Sequence, residues 1–192
     1  MPLTLDKYDI IIGVLLISAL FLIYLIYLDE NLETFVTEEG KPLMEEIKRR
    51  NKIFVDYIYH KYKNSEKEEL RTRAIHLYER YNPDVIREHF PSFLNKSTSY
   101  VENKGDEIGY CLKADKGKGK LEDINTMMYV SIHELTHIYL YDVNQHPTEF
   151  FANFKFLLRQ AVDIGLYKPV DYRKKPVVYC GLELTSNVLY DL

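Results

Sequence analysis

The chain has 192 residues and a net charge of −4, with a sequence pI near 5.9. This length allows one domain plus a short appendage, and the charge leaves no broad basic surface of the kind that holds nucleic acid. Two cysteines, Cys111 and Cys180, are too few for a disulfide framework or a four-cysteine zinc ribbon, though one bridge or two free thiols would both fit.

Residues 10 to 28, "IIIGVLLISALFLIYLIYL", carry no charge. Nineteen helical residues at ~1.5 Å each reach about 28 Å, close to the hydrocarbon thickness of a bilayer. Tyr24 and Tyr27 stand where an interfacial aromatic belt would be. A cleaved signal peptide or a buried core helix are the alternatives. The run is long for a signal and ends in "YLDENLE" rather than at small residues, which favours a retained single-pass anchor. Its orientation stays open, with Lys7 and the amino terminus on one side and Lys41 and Lys48 to Arg50 on the other.

Residues 29 to 40 are acidic and polar and read as a stalk. Residues 41 to 62 and 65 to 81 read as amphipathic helices, the second opened by a Ser65/Glu68 capping box. The "NPD" at 82 to 84 breaks that helix, and a short helical turn is expected up to His89. Residues 98 to 114 suggest two strands around the turn residues Asn103 to Asp106. The "DKGKGK" at 115 to 120 reads as a solvated loop, because it lacks the spacing of a phosphate-binding loop.

From Asp123 to Tyr141 the pattern is helical and apolar on nearly every side, as in a buried central helix. His146 and Pro147 look like the N-cap and first turn of another helix that ends at Gly165. In the tail, "VVYCGLEL" is β-prone, and there are no internal repeats.

The central helix carries "HELTH". His133 and His137 are four residues apart and project from one face, one turn apart, a spacing at which two imidazoles can bind one zinc ion. Glu134 points to the side where an activated water would lie and can take its proton. Without such a role, three ionisable groups would sit in a buried helix at a cost of several kcal/mol if left unpartnered. A metzincin would need Gly at 140 and His at 143, where this chain has Leu140 and Val143. His146, nine residues past His137, is the leading third ligand. Glu149 is the rival, and the one that does not bind would orient the site from behind.

"HELTH" followed by "HPTEF" resembles the arrangement of SprT-like and WLM-domain zinc metallopeptidases. The segments "IGYCLKA" and "FKFLLRQAVDIGLYKPVDY…PVVYCG" look closer still to predicted metallopeptidases of large DNA viruses, so that the resemblance covers roughly residues 98 to 190. It implies His133, His137 and His146 as ligands, Glu134 as the catalytic residue and peptide hydrolysis as the activity. It also implies that the strand around Ile108 to Lys113 is the edge strand that aligns a peptide. SprT and WLM proteins are associated with cleaving proteins crosslinked to DNA. This chain departs from them in carrying a membrane anchor and lacking a zinc ribbon or basic tail.

Tyr110, Tyr141, Tyr172 and Tyr179 are candidates for oxyanion stabilisation, and Cys111 reads as strand filler rather than a ligand. Together these readings predict an α+β, zincin-like domain over residues 41 to 192, tethered through the stalk to an anchor within residues 1 to 28. The expected function is zinc-dependent endopeptidase cleavage of a polypeptide at a host or virion membrane, with Zn2+ as cofactor. The alternatives are an inactive zinc-binding virion component and a protease acting on DNA-bound proteins.

Overall fold

The computed structural model describes residues 6–32, 37–91, 96–116, 118–141 and 148–191. The fold is α+β, with five helices and three small sheets among the described residues. Helix α1 (Lys7–Leu32) extends the predicted span at both ends. Among the described residues it is the one helix long and apolar enough to cross a bilayer, and no residue between Lys7 and Tyr27 is buried. The domain does not cover its apolar surface, so that lipid is the solvent its composition suits. Because α1 runs on to Leu32, it takes up the first part of the expected stalk.

The rest of the described stalk is docked on the domain. The Thr37 backbone N–H donates to Glu88 Oε2 at 2.5 Å and its hydroxyl to Glu88 Oε1 at 3.3 Å. Gly40 then passes so close that a β-carbon would meet Thr37 Oγ1 at 2.8 Å and Leu112 Cδ1 at 2.9 Å. Any side chain here would have to push these groups aside. Helix α2 (Lys41–Tyr62) follows, with Pro42 in its first turn, and buries Met44, Ile47, Phe54, Val55 and Ile58 along one face. Helix α3 (Glu68–Arg80) packs Ala74 and Leu77 beside it.

The predicted capping box does not form. The Ser65 hydroxyl accepts from Lys67 N at 3.2 Å within a tight turn, and α3 begins at Glu68 itself. The helical turn expected before His89 is a short 3-10 turn (Pro83–Val85) followed by strand β1 (Ile86–Glu88). Pairing with a distant strand overrides the local pattern here.

Strands β2 (Ser99–Glu102) and β3 (Glu107–Tyr110) form the expected hairpin, with Asn103, Lys104 and Gly105 at positive φ in its turn. Strand β1 joins β3 in parallel, giving the order β1-β3-β2. The edge strand expected from the sequence is therefore wrong: β3 is central, and β2 lies at an edge. Thr98 O accepts Cys111 N–H at 3.1 Å, so that by antiparallel alternation the peptide groups of Ser99 and Val101 face away from β3.

The lysine-rich segment expected to be a loop forms a second hairpin, β4 (Lys113–Asp115) and β5 (Lys118–Leu121). The β-prone tail makes a third, β6 (Val177–Tyr179) and β7 (Leu182–Leu184). Its two-residue turn places Cys180 and Gly181 at φ 51° and 75°, as a primed turn requires. Gly181 N donates to Ala114 O at 2.7 Å, and Cys180 is disulfide-bonded to Cys111 with Cα atoms 6.0 Å apart. The two cysteines thus form one bridge rather than two free thiols.

Helix α4 (Ile124–Tyr139) is capped by Asp123, whose side chain accepts from Asn125 N and Thr126 N. It runs through the core between α2, α3, α5 (Thr148–Asp163) and β2. Beyond α5 the chain reverses at Gly165 with φ 71°. A buried polar triad fixes α4 in place. The Ser131 hydroxyl donates to Asn51 Oδ1 at 2.7 Å and lies 2.9 Å from the Tyr110 hydroxyl, joining α2, α4 and β3.

Candidate metal centre

From Thr126 to Leu140, along α4 and its C-cap, every residue is buried except two, His133 and His137. Their rings lie side by side with centroids 5.2 Å apart at 72°. Phe150, from the first turns of α5, packs against both, at 4.9 Å from His133 and 4.5 Å from His137, and Phe154 packs on His133 at 5.2 Å. An apolar wall on one side of two partly exposed imidazoles restricts their rotamers and lowers the local dielectric. Two nitrogen donors one turn apart, beside a buried carboxylate, are the chemistry that suits zinc.

Glu134, next to His133 in sequence, is 3 % exposed. The Ser99 hydroxyl on β2 donates to its Oε1, so the strand edge and the helix meet at this carboxylate. Burial pushes the Glu134 carboxyl up to about 7, while the Ser99 hydrogen bond pulls the other way.

His146 lies outside the described residues. Glu149 is described, and the structure places it against Arg73 of α3, whose guanidinium also reaches Asn153 Oδ1 at 3.3 Å and Glu69 Oε1 at 2.7 Å. Arg73 is itself nearly buried. Glu149 thus braces α5 against α3 in this structure, one residue from the phenylalanine that touches both imidazoles.

The four candidate tyrosines separate. Tyr141 is exposed and packs on His76 at 4.9 Å, and Tyr172 packs edge-on against Tyr129. Tyr110 and Tyr179 are buried. Desolvation raises the pKa of both hydroxyls, and the nearby Glu134 charge adds to the rise. Tyr110 is committed to the core triad. Tyr179, on β6, donates to Thr98 O at 3.2 Å, next to Ser99. The disulfide follows it by one residue, so the β6–β7 hairpin is pinned where Tyr179 meets β2.

Ser99, Phe150 and Arg73 were not singled out by the sequence. Phe150 stood in the "HPTEF" segment without a role. Ser99 and Arg73 have no local signal, since their partners lie 35 and 76 residues away.

Over 170 residues the chain is 34 % identical to "Uncharacterized protein R325" of Acanthamoeba polyphaga mimivirus, covering 85 % of this chain and 79 % of that protein. The chain belongs to this mimivirus protein's family. No family model matches it, and no solved structure matches it. The family thus has a viral member, as the resemblance to virus-encoded proteins implied, and that member's name carries no activity.

Proposed function

We propose that this member of the mimivirus protein's family is a membrane-anchored zinc-dependent metalloendopeptidase of the zincin type. The observation that carries the reading is the exposure pattern of α4, where His133 and His137 open to the surface and Glu134 lies buried beside them. His133 and His137 would hold the ion with His146 as third ligand, and Glu149 is the alternative to His146. A zinc ion held there supplies Lewis acidity toward a carbonyl oxygen and acidifies water.

The residues around the site divide the remaining work. Glu134 takes the proton of the attacking water and passes it to the leaving amine. Ser99 orients that carboxylate, and Phe150 walls one side of the imidazoles. An extended polypeptide would pair with the outward peptide groups of Ser99 and Val101 on β2, which replaces the strand expected from sequence. The buried Tyr179 hydroxyl donates to Thr98 O and so supports this edge from behind.

The test uses the full chain in detergent. Purified protein should carry about one zinc per chain, and His137→Ala should lose it. Glu134→Gln should keep the zinc while cleavage of an unfolded polypeptide falls at least ~100-fold. Wild-type protein without zinc overturns the reading. Zinc retained with no cleavage by wild type supports the inactive, structural alternative instead.

A further inference from the structure

The point where the tether enters the domain and the strand edge assigned to peptide pairing lie in one row of the sheet. Glu88 on β1 pairs with Tyr110 on β3, and Tyr110 pairs with Ser99 on β2. Residues directly opposite across strands project to the same face, here the face packed on α4. At one end of the row Glu88 holds Thr37 by its backbone N–H and its hydroxyl. In the middle the Tyr110 hydroxyl lies 2.9 Å from the Ser131 hydroxyl of α4. At the other end Ser99 donates to Glu134, the neighbour of His133.

This row fixes a distance. Glu88 and Tyr110 are both buried, so neither side chain swings into solvent without opening the core. Past Thr37 the entering chain is held again, because Glu39 Oε2 pairs with Lys113 Nζ at 3.0 Å and Gly40 packs on Leu112. Two strand steps of about 4.8 Å and the reach of one glutamate side chain put Thr37 within roughly 20 Å of Ser99.

On the membrane side of Thr37 the connection is short. Only four residues, 33 to 36, separate Leu32 from Thr37. Fully extended, that step covers at most about 18 Å, and the helical residues past Tyr27 add about 7 Å. With α1 across a bilayer, the Ser99 edge therefore stands no more than roughly 45 Å above the hydrocarbon. That ceiling is close to one domain diameter, near 40 Å for roughly 150 residues. Polypeptides anchored in the same bilayer share this layer, and confinement there raises their effective concentration at the edge. A segment held higher by rigid structure stays out of reach, however extended it is.

We infer that the substrate is an extended, membrane-proximal segment of a polypeptide anchored in the bilayer that α1 crosses. The inference rests on the proteolytic reading above and on α1 as the span. The short tether then acts as a selector of height, and the β2 edge as the place where the selected segment pairs.

The test reconstitutes the full-length protein in liposomes with three forms of one unfolded segment. The first form joins the segment directly to a single membrane helix. The second raises it on a rigid helical-repeat spacer of about 100 Å, continuous with that helix. The third is the free peptide at the same bulk concentration. The first should be cleaved at least about 10-fold faster than either of the others. Placing the same spacer in the protein between Leu32 and Glu33 should reverse the order of the first two forms. Equal cleavage of the low and raised segments would overturn the selection by height, and a free peptide cleaved as fast as the anchored one would overturn the anchored substrate. Wild-type protein that cleaves none of the three, in liposomes or in detergent, removes the proteolytic reading and this inference with it.

Discussion

The Ser99 hydroxyl donates to the Glu134 carboxylate, joining the edge of a three-stranded sheet to the helix that carries both imidazoles. A group that orients a base without touching the metal should affect turnover more than metal content. Ser99→Ala is expected to keep its zinc and its melting temperature while turnover of an unfolded polypeptide drops about 10-fold or more. Zinc analysis beside the cleavage assay checks this, and loss of zinc from the variant would place Ser99 in a different role.

The third ligand can be ranked by metal affinity. His146→Ala should lose most of the zinc, whereas Glu149→Ala should weaken binding by roughly 10- to 100-fold, the scale of a residue acting from behind the ligands. Arg73→Ala separates the two functions of Glu149. It should lower thermal stability by breaking the bridge between α3 and α5, and it should leave bound zinc near the wild-type level. The opposite ranking of the first two variants would make Glu149 the ligand.

Glu122 offers a test of pH dependence that does not involve the candidate metal ligands. Burial, helped by the charge of Asp123, raises its carboxyl from 4.5 to about 7, and its Oε1 has no hydrogen-bond partner among the described residues. A carboxyl with a raised folded pKa costs nothing below its unfolded value and becomes destabilising as pH rises from 4.5 through about 7. Glu122→Gln should therefore raise the melting temperature at pH 8 and change it little at pH 4.5. An equal shift at both pH values would show that ionisation is not the cause.

The bridge between Cys111 and Cys180 closes a loop with a sequence separation of 69. Loop-closure entropy for that length corresponds to about 4 kcal/mol at 25 °C. Replacing both cysteines by serine should lower unfolding stability by an amount of that order, measured by denaturant titration of the full chain in detergent. A double variant as stable as wild type would mean that the bridge is not formed in the folded protein.

The anchor is checked by extraction. With α1 unburied from Lys7 to Tyr27 and uncharged from residue 10 to 28, the full-length chain should remain in the membrane pellet after a carbonate wash. Release into the supernatant would reassign α1 as something other than a span.

The sequence marked out the elements whose pattern is local. α1 was visible because nineteen uncharged residues in a row suit little but a bilayer, and α4 because apolar residues surround "HELTH" on all sides. The β2–β3 hairpin followed from its turn residues. Elements defined by distant partners escaped. β1 is three residues long and exists through its parallel pairing with β3, and the lysine-rich hairpin is stabilised by contact with β6 rather than by β propensity. The same division holds at the candidate site. That His133 and His137 are neighbours on one helix face could be read from spacing, whereas Ser99 reaches Glu134 only after the sheet has formed. The error in assigning the edge strand came from reading β3 without β1, whose own segment carried a helical expectation.

The cross-link from Cys111 to Cys180 encloses the whole of α4 and α5 within one covalent ring. A single backbone cut anywhere inside that ring leaves both halves of the protein in one molecule. A chain nicked between the two helices would migrate as one species without reductant and as two fragments with it. The helix bearing "HELTH" and the helix bearing Phe150 would stay tethered to each other after such a cut.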